Sequence, residues 1–222
     1  TAPPMKTIKV GAGDNEMALG GETVLFRHEK TFVNKTRYAV SVCNCMDDAA
    51  VDAKLAELQK VDYERIGERM FVEMVHVNYC ADAGKDKYLE LVKKAAATGR
   101  VLILGCTDAD VAKEAVELVK DTKPVLNGAN ASNYEAMNAV ATAAGVVLGV
   151  QGADINELYD TVAAIEKLGN KNLLIDCGTA SIKDAFATAV QFRKAAIKDS
   201  NRTCGYPSIV NVAALAKGNT HL

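Results

Sequence analysis

From Tyr38 onward the chain repeats one pattern: a short apolar run, a polar turn, then a longer stretch whose apolar residues recur every three or four positions. The short runs predict strands at Tyr38–Val42, Met70–Val77, Val101–Leu104, Pro124–Leu126, Val146–Val150 and Leu173–Asp176, with a further short strand at Ser208–Val210. The intervening periodicity predicts helices at about Asp48–Gln59, Lys85–Thr98, Asp108–Lys120, Ser132–Ala144, Ile155–Leu168 and Lys183–Lys198. Strand-then-helix alternation with unbroken apolar strands implies a parallel sheet covered by helices. Before this repeat, Thr1–Pro4 reads as a tail. Thr7–Val10 and Thr23–Phe26 read as two β-type runs joined by the glycine-rich stretch Gly11–Gly21, the pattern of an antiparallel hairpin.

Two windings of such a sheet compete. A doubly wound sheet that bound nucleotide phosphates would carry a G-x-G-x-x-G or G-x-x-x-x-G-K-[ST] turn after an early strand, and neither occurs. A barrel has no such requirement, and a leading hairpin would cover its N-terminal mouth. The expected fold class is therefore α/β, a TIM-type (β/α)8 barrel with an N-terminal β-hairpin. Residues 1–36 form the tail and hairpin, and 37–222 supply six to seven βα units, leaving the eightfold barrel incomplete at the C-terminal end of this chain.

Composition narrows the partners. The 26 basic and 28 acidic residues are interspersed and the net charge is −2, so there is no electrostatic footprint for nucleic acid. The longest apolar runs, such as Ala139–Val150, fall short of the ~20 residues that cross a bilayer, and no membrane contact is expected. With six cysteines in a chain of 222 residues, whose core needs no disulfide staples, reduced thiols and a cytoplasmic location are the natural reading.

The chemistry concentrates in the turns after the strands, which form the working face of a parallel barrel. Asn78, Asn127, Gln151 and Asp176 are the candidate substrate-pocket residues, because carboxamides and a carboxylate converging on one mouth can hydrogen-bond a flat heterocycle with amide edges, such as a pterin. Asp47, Asp108 and Asp154 sit instead where helix N-caps belong. Cys43, Cys45, Cys80, Cys106 and Cys177 fall at the same strand ends. With no C-x-x-C pair, their spacing does not match zinc or iron-sulfur sites, so they read as small buried apolar residues and no metal site is expected. His76 lies within a strand and reads as a satisfied core histidine. No Ser-His-Asp or Cys-His set can be assembled, so no catalytic residue is assigned.

Four motifs point to a family. Gly20–Asn34 (GGETVLFRHEKTFVN), Cys43–Asp48 (CNCMDD), Leu126–Met137 (LNGANASNYEAM) and Ile175–Ala185 (IDCGTASIKDA) closely resemble the barrel region of the large (gamma) subunit of the corrinoid iron-sulfur protein in acetyl-CoA decarbonylase/synthase systems. The first motif is the most specific. The resemblance implies a methyl carrier that accepts a methyl group from a methyltetrahydropterin and passes it to acetyl-CoA synthase. It also implies a corrinoid and a [4Fe-4S] cluster held in domains outside these residues, with none in this chain. Its implied partners are the small subunit of a heterodimer, a methyltetrahydropterin-dependent methyltransferase and acetyl-CoA synthase. Arg27, His28 and Glu29 are then candidates for a domain or subunit contact. The alternative is a barrel that itself binds methyltetrahydropterin and transfers the methyl group to the corrinoid. An aldolase-like barrel fits less well, because no core strand carries a Schiff-base lysine.

Overall fold

A computed structural model of the chain describes residues 5–21, 33–178 and 181–216. It opens with β1 (Thr7–Val10) and β2 (Met17–Gly20), paired antiparallel with Ile8 opposite Leu19. The hairpin exists as expected, but its second strand is Met17–Gly20, inside the stretch read as a glycine-rich spacer. Thr23–Phe26 lies outside the described residues, as do Arg27, His28 and Glu29.

The repeat then unfolds as β3 (Ala39–Cys43), α1 (Asp48–Lys60), a short ribbon of β4 (Asp62–Arg65) and β5 (Glu68–Phe71), β6 (Met74–Asn78), α2 (Lys85–Ala96), β7 (Val101–Gly105), α3 (Ala109–Val119), β8 (Val125–Ala129), α4 (Tyr134–Ala144), β9 (Val147–Val150), α5 (Ile155–Lys167), β10 (Leu173–Asp176), α6 (Ile182–Ile197), β11 (Ser208–Ile209) and α7 (Val212–Ala216). The run Met70–Val77, read as one strand, is two elements. Glu73 interrupts it and turns its carboxylate back to Arg37 and the Tyr38 amide. Asp47, Asp108 and Asp154 cap α1, α3 and α5 with their side chains, as their positions predict.

The main sheet of the described residues runs β11-β10-β9-β8-β7-β6-β3, parallel throughout. Within this sheet, with the β4–β5 ribbon set aside, every strand from β6 on lies beside its predecessor in the chain. A doubly wound sheet would reverse direction at a switch point. The sequential order is barrel winding, and the sheet curls as an open half-barrel.

Alternation along the strands separates two apolar layers. Val75, Val77, Leu102, Leu104, Leu126, Leu148, Leu173 and Ile175 point outward against the helices and form the larger core. Met74, Val101, Ile103, Val125, Val147 and Leu174 point inward, where Ile8 and Val10 of the hairpin close over them. Most of these inward residues lie low in their strands, so β1 and β2 are the floor of the half-barrel. Gly11 N–H donates to Lys123 O and Asn15 Nδ2 to Gly99 O, just below β8 and β7. Above that floor the inner face turns polar.

Candidate functional site

A cavity of about 1180 Å³ lies over the inner face. The four sequence-predicted residues all line it: Asn78 ends β6, Asn127 is in β8, Gln151 follows β9 and Asp176 ends β10. Asn127 and Asp176 make a direct pair. Asn127 Nδ2 donates to Asp176 Oδ2 at 2.9 Å, and Asp176 Oδ1 accepts the Gly178 amide at 2.9 Å. Both side chains are buried, so this bond fixes the amide orientation and leaves Asn127 Oδ1 as an acceptor turned toward Gly149, with no partner among the described residues. Gln151 is anchored through its backbone, N–H to Ala129 O at 2.8 Å, and it and Asn78 remain accessible from the mouth.

His76 belongs to this face as well, which sequence reasoning missed. Strand register puts it between Ser41 of β3 and Ile103 of β7. Its Nδ1 lies 3.1 Å from the Ser41 hydroxyl, while Nε2 has no partner among the described residues. It is therefore not the satisfied core histidine its position suggested. Burial pushes its pKa down and the Asp176 carboxylate acts in the opposite sense. The imidazole is accordingly neutral near pH 7, able to donate or accept at Nε2.

Two glycines make room for these polar groups. Register aligns Asn78, Gly105, Asn127 and Gly149 across four adjacent strands. A Cβ on Gly105 would lie 2.6 Å from His76 Nε2 and 2.8 Å from Asn78 Oδ1, and one on Gly149 would lie 2.1 Å from Asn127 Oδ1. Side chain alternates with bare backbone along this row. The polar ends of His76, Asn78 and Asn127 fill the spaces that the two glycines leave, which is what lets them lie flat against the sheet.

The cysteines give a different picture. Burial pushes the thiols of Cys106 and Cys177 up to about 11. Cys43 rises to about 11 through burial and then through its neighbour Cys45. All six cysteines are free, and among the described residues no three His, Cys, Asp or Glu side chains converge as a metal-binding group. A four-iron cluster needs a set of converging thiolates, and these scattered thiols do not fit it. Asn44 is structural: buried, it donates to Cys80 O and Gly84 O and accepts the Cys80 amide, tying the β6–α2 turn to the end of β3.

Among solved structures, the chain is similar to dihydropteroate synthase from Thermus thermophilus, with a TM-score of 0.62 over 92% of this chain and 76% of that one. At 15% identity the likeness is one of fold, that of a TIM barrel. Two curated relatives cover nearly the whole chain. It is 35% identical over 213 residues to the corrinoid/iron-sulfur protein large subunit of Moorella thermoacetica, covering 96% of this chain and 48% of that protein. It is 28% identical over 218 residues to the acetyl-CoA decarbonylase/synthase complex subunit gamma of Archaeoglobus fulgidus, covering 96% of this chain and 46% of that one. The chain thus spans about half the length of these relatives. Their names are those of the family that the Gly20–Asn34 motif resembles. A family model described as CO dehydrogenase/acetyl-CoA synthase delta subunit matches residues 7–221. On that match, which takes in nearly every residue, the chain belongs to the CO dehydrogenase/acetyl-CoA synthase delta subunit family.

Proposed function

We propose that this chain is the barrel region of a corrinoid iron-sulfur methyl carrier, whose full protein accepts a methyl group from methyltetrahydropterin and passes it to acetyl-CoA synthase. The observation that carries this reading is near-complete coverage of this chain by relatives named for corrinoid, iron-sulfur and acetyl-CoA decarbonylase/synthase, each about twice its length. In this reading the corrinoid and the cluster sit in the remaining half of the full protein. The floor hairpin with its tail, 1–36, covers a barrel that begins at 37 and is completed by chain beyond these residues. The small subunit, a pterin-dependent methyltransferase and acetyl-CoA synthase are the partners, with Arg27, His28 and Glu29 at a domain or subunit contact. The protein works in the cytoplasm. Among the described residues no helix is long and apolar enough to cross a membrane.

The test is the intact mass of the natively expressed protein, with cobalt and iron assayed on the same preparation. The reading expects a mass of about twice 23.6 kDa with both metals present. A mass of 23.6 kDa with neither metal would overturn it.

The convergence of Asn127, Asp176, Asn78 and Gln151 on one cavity favours a second reading, in which the barrel itself binds methyltetrahydropterin. Calorimetric titration with a tetrahydropterin separates the two. Binding at micromolar concentrations that is lost in Asp176→Ala supports a pterin-binding barrel, and heats no greater than dilution leave the barrel as scaffold.

A further inference from the structure

Two thiols stand together at the end of β3. Cys43 closes the strand and Cys45 follows two residues on, in a turn that Met46 N–H closes by donating to Cys43 O at 3.0 Å. Within that turn the Cys45 amide donates to Cys43 Sγ at 3.3 Å, and the Cys45 thiol lies within hydrogen-bonding reach of the same sulfur. Consecutive Cα atoms are ~3.8 Å apart, so two residues with one between them span at most ~7 Å in extended chain and less in a turn, where a disulfide bridges ~4.4–6.8 Å. The two sulfurs are not equivalent. Cys45 is exposed, not buried as its position suggested, whereas Cys43 is half-buried, and Cys106, Cys177 and Cys204 are buried. Burial, and then the neighbouring Cys45 thiol, push the Cys43 thiol up to about 11, so Cys43 holds its proton near neutral pH and Cys45 is the sulfur that a reagent meets first.

We infer that Cys43 and Cys45 form a thiol–disulfide exchange site whose oxidant is a low-molecular-weight disulfide, with Cys45 as the entering thiol and Cys43 as the resolving one. The Cys45 thiolate attacks one sulfur of the oxidant RSSR, forming a Cys45–SR bond and releasing RS⁻. Cys43 then gives its proton to a thiolate and its sulfur attacks Cys45 Sγ, forming the Cys43–Cys45 bond and releasing the second RS⁻. Two protein thiols are oxidised, one RSSR is reduced to two RSH, and the two protons pass from the cysteines to the released thiolates. The bonded state is labile. It closes a small ring around Asn44, whose side chain is already committed to Cys80 N–H at 2.6 Å, Cys80 O at 2.9 Å and Gly84 O at 3.0 Å, and a disulfide held in strained geometry is more easily reduced. In a reducing compartment such bonds form transiently, which is the behaviour of a sensing site and not of a staple. Because Asn44 ties the β6–α2 turn to β3, closing the ring bears on that turn and on Asn78, which faces Cys43 across the β3–β6 register.

The experiment treats the natively expressed full protein with oxidised glutathione under anaerobic conditions, alkylates the remaining thiols and maps the tryptic peptides. Cleavage after Arg37, Lys54, Arg69 and Lys85 leaves Cys43 and Cys45 together on peptide 38–54 and Cys80 alone on peptide 70–85, so an internal bond and a bond to Cys80 give different products. Peptide 38–54 is expected to lose two hydrogens and to resist alkylation, and an excess of reduced glutathione is expected to reverse both. Cys43→Ser should stall at the mixed disulfide, holding about tenfold more glutathione on Cys45 than wild type does. Cys45→Ser should show neither the adduct nor the loss of hydrogens. A cross-link between peptides 38–54 and 70–85, a peptide 38–54 that still alkylates fully after treatment, or a Cys43→Ser protein that gathers no more adduct than wild type would each overturn the inference. The wild-type map needs no substitution, so it decides the matter even where a serine variant fails to fold.

Discussion

At the scale of single residues, His76 is held neutral at a cost that depends on pH. Its folded-state pKa is depressed below the usual ~6.5, so below that pH the unfolded chain takes up a proton that the folded chain refuses. Stability from this group is complete above pH ~6.5 and declines as the pH falls, until the folded imidazole also protonates. The slope is at most about 1.4 kcal/mol per pH unit. We expect His76→Phe to flatten the dependence of melting temperature on pH in that window relative to wild type. Asp176→Asn removes the charge that props the pKa up, so the His76 titration midpoint, followed by NMR, should move lower still. The glycines differ in a way that urea melts will resolve. Gly149→Ala brings a methyl within 2.1 Å of Asn127 Oδ1 and 3.0 Å of its Cα, which cannot yield, and should cost about 1–3 kcal/mol. Gly105→Ala meets the ends of His76 and Asn78 and should cost less. Asn127 and Asp176 were legible in the sequence because a polar residue at the end of an apolar strand is conspicuous. His76 was not. A histidine inside an apolar run looks the same facing either layer, and only the register of β3 and β7 shows which way it points. The role of Gly105 and Gly149 was hidden for the same reason.

At the scale of elements, the six long helices and the buried parallel strands were readable because each has a strong period or an unbroken apolar run, and tertiary packing reinforces it. The ribbon of β4 and β5 went unseen. Its residues from Asp62 to Met70 are exposed on both faces, so nothing in Asp-Tyr-Glu-Arg or Glu-Arg-Met-Phe alternates. What holds it is local: Asp62 and Arg69 form a two-pronged ion pair across the strands, and Arg69 lies over the Phe71 ring. Its turn is strained. Ile66 sits at φ 52°, a conformation that a β-branched residue resists, and is 93% exposed, so no burial offsets the strain. Ile66→Asn should therefore stabilise the protein by up to about 1 kcal/mol in chemical denaturation. Asp108→Ala should do the reverse. Its carboxylate caps α3 by accepting from the amides of Asp110 and Val111, and losing a cap costs about 1 kcal/mol.

At the scale of the molecule, one clasp joins the beginning of the described chain to its far side. Glu166 of α5 accepts from Lys6 at 2.8 Å, from Tyr206 at 2.7 Å and from Thr203 at 2.7 Å, and the Lys6 ammonium lies over the Tyr206 ring. Burial pushes the Glu166 carboxyl up, but these donors outweigh it and hold its pKa below the usual carboxylate value. A depressed carboxylate stabilises the fold at neutral pH, and that contribution fades as acid protonates it. Hydrogen exchange should show the amides of β1 and β2 losing protection first in Glu166→Gln, and in wild type as the pH falls, ahead of the outer core. The backbone is tied at the same place, with Lys6 N–H donating to Gly205 O at 2.7 Å. During synthesis this geometry sets an order. The floor hairpin leaves the ribosome well before its anchors Glu166, Thr203, Gly205 and Tyr206, which are made some 160 residues or more later. At roughly 5–20 residues per second, the nascent hairpin waits about ten seconds or longer for its clasp, after its inner-face partners from Met74 to Val147 have been made.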